Sequence, residues 1–198
     1  MLITTDVHRI ASLLLAHPGS VVAYPTETFY GLGARIHDTA GLNRIIAAKG
    51  REALKGMIVL VGDMAMAADL ASISDRQQAL LEQVWPGPVS VLLRTTQKID
   101  QLLAPERKIA LRISPNALAT GLIHLAGPIT STSANRTGEP PARTAEEVER
   151  QGLDIDAVLD GPQTPGGKPS TLIDLTVWPP ACLREGVVPF ADILALIP

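Results

Sequence analysis

Short apolar runs, each closed by proline, glycine or small polar residues, alternate along the chain with stretches whose apolar residues recur at three- and four-residue spacing. A run of about five apolar residues fits a strand buried on both faces, and the second spacing is one stripe of a helix. A chain that repeats this pair has few architectures open to it, and the simplest is a sheet covered by helices on both sides. The strand candidates in the first two thirds are Val21–Tyr24, Met57–Val61, Val89–Leu93, Ile109–Ile113 and Pro128–Ser131. The helix candidates are Thr5–His17, Thr39–Ala48, Asp75–Val84, Asn116–Leu125 and Ala145–Gln151. Further strands are expected at Ile155–Leu159, Thr171–Leu175 and Cys182–Arg184, then a short helix at Phe190–Leu196. Their close spacing implies some antiparallel pairing, so the fold class is α/β with a mixed, twisted sheet. At 198 residues and 46% hydrophobic content, one domain spanning residues 1–198 is expected.

The strand at Val21–Tyr24 stops at Pro25, and Thr26-Glu27-Thr28 with Gly31 and Gly33 reads as a functional loop after it. With 17 Lys+Arg against 20 Asp+Glu, the net charge of -3 gives the molecule no general attraction for polyanions. Aromatic residues are 3% of the chain, too few for a base-stacking platform. The one cysteine, Cys182, lies in the apolar run Ala181-Cys182-Leu183 and reads as a small buried hydrophobe in a reducing compartment. Asp6, His8 and Arg9 break the basic-then-apolar order of a signal peptide, and no apolar run is long enough to span a bilayer. A cytoplasmic protein with no membrane partner is expected.

Several familiar chemistries fail on spacing. Gly166-Gly167-Lys168 lacks the register of a phosphate-binding P-loop, because Gly161 and Gly166 are followed by Gly167 rather than lysine. His8, His17, His37 and His124 have no metal-ligand spacing, so no metal site is expected. Neither Ser131 nor Ser133 has the flanking glycines of a nucleophile elbow. What remains is a set of cations and hydroxyls in loops at strand ends, where open α/β sheets bind ligands. Lys49, Arg51 and Lys55 read either as a solvated basic patch or as a triphosphate clamp. Thr130 to Asn135 reads either as a hydroxyl-rich turn or as a set of donors for phosphate or carboxylate.

Pro25-Thr26-Glu27-Thr28-Phe29-Tyr30-Gly31-Leu32-Gly33, Lys49-Gly50-Arg51, Trp85-Pro86-Gly87-Pro88, Ser133-Ala134-Asn135 and Leu183-Arg184-Glu185-Gly186 come in one order across nearly the whole chain. Together they resemble the YrdC/TsaC family of threonylcarbamoyl-AMP synthases, in its short single-domain bacterial form. The resemblance implies a mixed sheet around a concave central cleft, and a nucleotidyltransferase that condenses L-threonine, bicarbonate and ATP with release of pyrophosphate. ATP is then a substrate, with Mg²⁺ carried on its phosphates. A separate threonylcarbamoyl transferase would use the product to modify tRNA beside the anticodon, and tRNA itself is a further candidate partner. By motif, Lys49, Arg51, Lys55, Ser133, Asn135 and Arg184 are the expected ATP-binding residues, Lys49 and Arg51 also being catalytic. Thr28, Arg112, Ser131 and Ser170 are the expected threonine contacts. Leu60 stands where some relatives carry a threonine-contacting histidine, and Pro141 where some carry a nucleotide-contacting serine. The rival readings are a tRNA- or double-stranded-RNA-binding module built on Lys49, Arg51, Lys55 and Arg143, and carbamoyl transfer as in multidomain hydrogenase-maturation proteins.

Overall fold

The computed structural model describes residues 1–49 and 57–197, so Arg51 and Lys55 lie outside the described residues. The chain runs β1 (Leu2–Thr4), α1 (Val7–Ala16), β2 (Val22–Pro25), β3 (Tyr30–Gly33), α2 (Thr39–Lys49) and β4 (Ile58–Leu60). It continues with α3 (Met64–Leu70), α4 (Asp75–Val84), β5 (Val89–Arg94), β6 (Lys108–Arg112), α5 (Ala117–Ala126) and β7 (Ile129–Ser133). The last elements are α6 (Ala145–Arg150), β8 (Ala157–Leu159), β9 (Thr171–Asp174), β10 (Ala181–Arg184) and α7 (Phe190–Leu194). Among the described residues the strands form one 10-stranded sheet in the order β1, β8, β2, β3, β7, β4, β6, β5, β9, β10. It is mixed: β1 and β2 run parallel to β8, β4 to β6 and β5 to β9, and the other neighbours are antiparallel.

Strand alternation sends two sets of side chains to opposite faces. Val21, Ala23, Val59, Ile109, Leu111, Val91, Leu93, Val158 and Ile173 join one buried cluster. Leu42 and Ile45 of α2, Leu70 of α3, Leu80 and Leu81 of α4, Val148 of α6 and Ile193 of α7 cover that face. On the other face Val22, Tyr24, Leu60, Ile129, Ala157 and Leu159 pack against Ile10 and Leu14 of α1 and Leu122 and Ile123 of α5. Asp6 and Asn116 cap these two helices by accepting from the first free backbone N–H groups. α1 and α5 cover only part of their face. Beyond them Ala110 and Arg112 of β6, Ser131 and Ser133 of β7, and Ser170 and Leu172 at β9 project from the same side and line an open cleft.

Two expectations are corrected. The stretch after Pro25 is not all loop, because Tyr30–Gly33 forms β3 and pairs antiparallel with β2 and β7. Glycine usually weakens a strand, but here it is what lets β3 pack. A Cβ on Gly33 would lie 2.7 Å from Tyr24 Cε1, and one on Gly31 would lie 2.9 Å from Ser131 Oγ. Cys182 is exposed, because β10 is the outermost strand of the sheet and all its residues are exposed. The short elements β1 and α3 carry too little periodicity to be read from sequence. No helix among the described residues is long and apolar enough to cross a membrane.

Candidate active site

The cleft has a volume of about 810 Å³, large enough for small-molecule substrates. β7 lies near the middle of the sheet and supplies its central wall. Arg112 pairs with Leu60 of β4, while Ser131 pairs with Ile58 of the same strand. The guanidinium therefore reaches diagonally across β4, and its Nη2 donates to Ser131 Oγ at 3.4 Å. Arg112 is 4% exposed, which demands compensation for its charge. That comes from Glu27, whose Oε1 is 3.2 Å from Arg112 Nη1 and whose Oε2 accepts from Ser114 Oγ at 2.5 Å. The ion pair is electrostatically close but not saturated. Glu27 Oε1 and Arg112 Nε are buried without a hydrogen-bond partner, so the guanidinium retains donor capacity.

Lys49 ends α2 and is equally buried. Its Nζ donates to the carbonyl oxygens of Ser133 at 2.5 Å and Asn135 at 3.0 Å, and lies 3.5 Å from Ser133 Oγ. The Asn135 amide donates to the carbonyls of Arg136 and Glu139. Lysine and asparagine thus fix the backbone that follows β7, and hold Ser133 at the cleft wall. Across the cleft mouth, Arg184 of β10 donates through Nε and Nη2 to the Ser170 carbonyl at 3.2 and 2.9 Å, and through Nη2 to Ser170 Oγ at 3.2 Å. Ser170 Oγ in turn shares a hydrogen bond of 2.9 Å with Ser90 Oγ. Thr28 is buried, and its hydroxyl is 3.2 Å from that of Thr26.

Lys49, Ser133, Asn135 and Arg184 from the expected nucleotide set, and Thr28, Arg112, Ser131 and Ser170 from the expected amino-acid set, all line this one cleft. Arg184 and Ser170, expected to serve different substrates, are in direct contact. Leu60 lies fully buried beneath α1 and α5. Pro141 lines a second depression of about 590 Å³, with Arg136, Arg143 and Arg150 around it. Sequence reasoning missed Glu27 and Ser114. Glu27 stood inside a quoted motif, but nothing local shows that its carboxylate meets an arginine from another strand.

Burial pushes the Tyr30 phenol up to about 12, opposed by its backbone hydrogen bond with Gly161. Burial raises the Tyr24 phenol beyond the ordinary tyrosine range, with Ser131 and Arg112 pulling the other way. Both phenols keep their protons at neutral pH, so neither is a base for a reaction here. The described lining carries Lys49, Arg112 and Arg184 and no carboxylate, an environment for anions. Among the described residues no group of three or more His, Cys, Asp or Glu side chains is placed to hold a metal ion. The described donor set does not suit a resident divalent cation.

The Sua5/YciO/YrdC family model, described as telomere recombination, matches residues 15–186. The chain belongs to this family. Among its Sua5/YciO/YrdC relatives, a threonylcarbamoyl-AMP synthase of Chromohalobacter salexigens is 39% identical over 84% of this chain and 92% of its own length. One of Pyrococcus abyssi is 36% identical over 90% of this chain, which spans only 54% of that longer protein. The structure of Pyrococcus abyssi Sua5 complexed with L-threonine superposes with a TM-score of 0.91 at 32% identity, covering 100% of this chain and 61% of that one. The mixed-sheet α/β fold is thus that of the family.

Proposed function

We propose that this protein is a threonylcarbamoyl-AMP synthase, a nucleotidyltransferase that joins L-threonine, bicarbonate and ATP and releases pyrophosphate. The observation that carries the reading is Arg112, a buried guanidinium on the wall of the cleft of a chain whose fold matches that of a threonine-bound relative. Arg112 receives the amino-acid carboxylate, with Ser131, Thr28 and Ser170 around the rest of the substrate. Lys49, Ser133, Asn135 and Arg184 form the nucleotide end, Lys49 and Asn135 chiefly by shaping the chain that presents Ser133. Arg51 and Lys55 extend that end by motif.

The amine of threonine takes up the carbon of bicarbonate with loss of water. The resulting carbamate oxygen attacks the α-phosphorus of ATP, and the bond to pyrophosphate breaks. Nucleophile and target are both anionic, so the protein's work is to position them and to neutralise charge. Mg²⁺ arrives on the triphosphate. The adenylate is passed to a separate threonylcarbamoyl transferase acting on tRNA, in the cytoplasm.

Incubation with ATP, threonine and bicarbonate is expected to release pyrophosphate in a threonine-dependent manner, with an adenylate detectable by mass spectrometry. Pyrophosphate release indifferent to threonine would sink the reading. An RNA-binding module is not favoured: the cleft suits small molecules, and the relatives named above are synthases.

A further inference from the structure

The Arg112 seat holds its own counter-charge before any substrate arrives. Glu27 touches Arg112 at 3.2 Å and is not among the described residues that line the cleft, so it flanks the guanidinium away from that lining. Its other oxygen is pinned by Ser114, which is 2% exposed and sits just before the N-cap of α5. Glu27 is therefore held in place by the protein's core and is not a side chain that swings into the cleft. The largely buried pair sums to zero charge.

A bare guanidinium in this position would welcome any carboxylate. With Glu27 beside it, an incoming carboxylate leaves the seat with one net negative charge at low accessibility, which is costly unless the ligand brings a cation. An α-amino acid brings one, on the atom next to its carboxyl carbon. We propose that Glu27 is a specificity-determining residue that, by cancelling the charge of Arg112 in advance, makes the seat select a zwitterion over a simple carboxylate. The proposal rests on the amino-acid reading of the cleft. It explains why a site that must bind an anion carries a carboxylate against its principal cation.

The test compares L-threonine with (R)-3-hydroxybutanoate, the same carbon skeleton without the amino group, by titration calorimetry without ATP or bicarbonate. Wild-type protein is expected to favour threonine by about tenfold or more, the effect of one unit charge several ångströms away at intermediate dielectric. Glu27→Gln keeps the shape and removes the charge, and the ratio of the two affinities is expected to fall by about tenfold, with hydroxybutanoate binding more tightly than to wild type. Glu27→Asp, which keeps the charge, is expected to retain the preference. A merely structural role would weaken both ligands together, so an unchanged ratio in Glu27→Gln overturns the proposal. If that variant does not fold, the wild-type ratio decides, because equal binding of the two ligands overturns it as well. Failure of the wild type to bind threonine at all would instead remove the amino-acid reading, and this inference with it.

Discussion

Among the described residues two buried cations, Arg112 and Lys49, line the cleft, and they make contact with different parts of the wall. Arg112 is matched by a carboxylate, Glu27, fixed from the side of α5. Lys49 donates, among its contacts, to the carbonyls of Ser133 and Asn135. Arg112 and Glu27 determine which ligands are electrostatically tolerable, and the bonds from Lys49 to the chain fix where the end of β7 lies. Sequence position would not separate the two roles, since both residues end an element and both are expected to meet anions.

Removing either cation should therefore damage the protein differently. Arg112→Ala strands a partly buried carboxylate, with an expected loss of about 3–5 kcal/mol in urea unfolding, and threonine-dependent activity should vanish. Adding Glu27→Gln to that variant should restore most of the stability and none of the activity. A double-mutant cycle with no coupling would break the account of the pair. Lys49→Met strands the carbonyl groups of Ser133 and Asn135, and about 1–3 kcal/mol is expected, with ATP affinity falling more than threonine affinity. Equal loss for both substrates would show that the tie shapes the whole cleft and not its nucleotide end. Gly33→Ala should cost about 1–3 kcal/mol in urea unfolding through collision with the Tyr24 ring.

The smallest effect should be Tyr30→Phe, about 1 kcal/mol, for the loss of hydrogen bonds with Gly161. This phenol also contributes an alkaline limit. Its folded pKa of about 12 lies above the ordinary tyrosine value, so its contribution is complete below about pH 10 and is lost as pH rises through the folded value. Thermal melting between those pH values should be less pH-sensitive in Tyr30→Phe than in wild type.

Most of the elements were legible in sequence because their signals are local. The helix at Asp75–Val84 and the strand beginning at Val89 fall where the spacing of apolar residues puts them. β3 was not, since Gly31 and Gly33 look like loop residues until the ring of Tyr24 and the hydroxyl of Ser131 are seen to occupy the space above them. Cys182 misled for the opposite reason. Its apolar neighbours promise burial, but burial depends on what lies over the strand, and β10 is the last in the sheet. The candidate site was legible as a set of residue types along the chain. Its pairings were not: the contacts of Arg112 with Glu27 and of Arg184 with Ser170 join residues far apart in sequence, and only the order of the strands brings them together.

The Tyr24 ring over β3 also fixes the order in which this hairpin can change through descent. While a tyrosine stands at position 24, any side chain at position 33 collides with it, and a side chain at position 31 meets Ser131. A lineage that acquires a larger residue at 33 must first have exchanged Tyr24 for something smaller, and such an intermediate lacks the buried hydrogen bond to Thr130. The two strands are thus tied in history as well as in space, each position closed to variation until the other has moved.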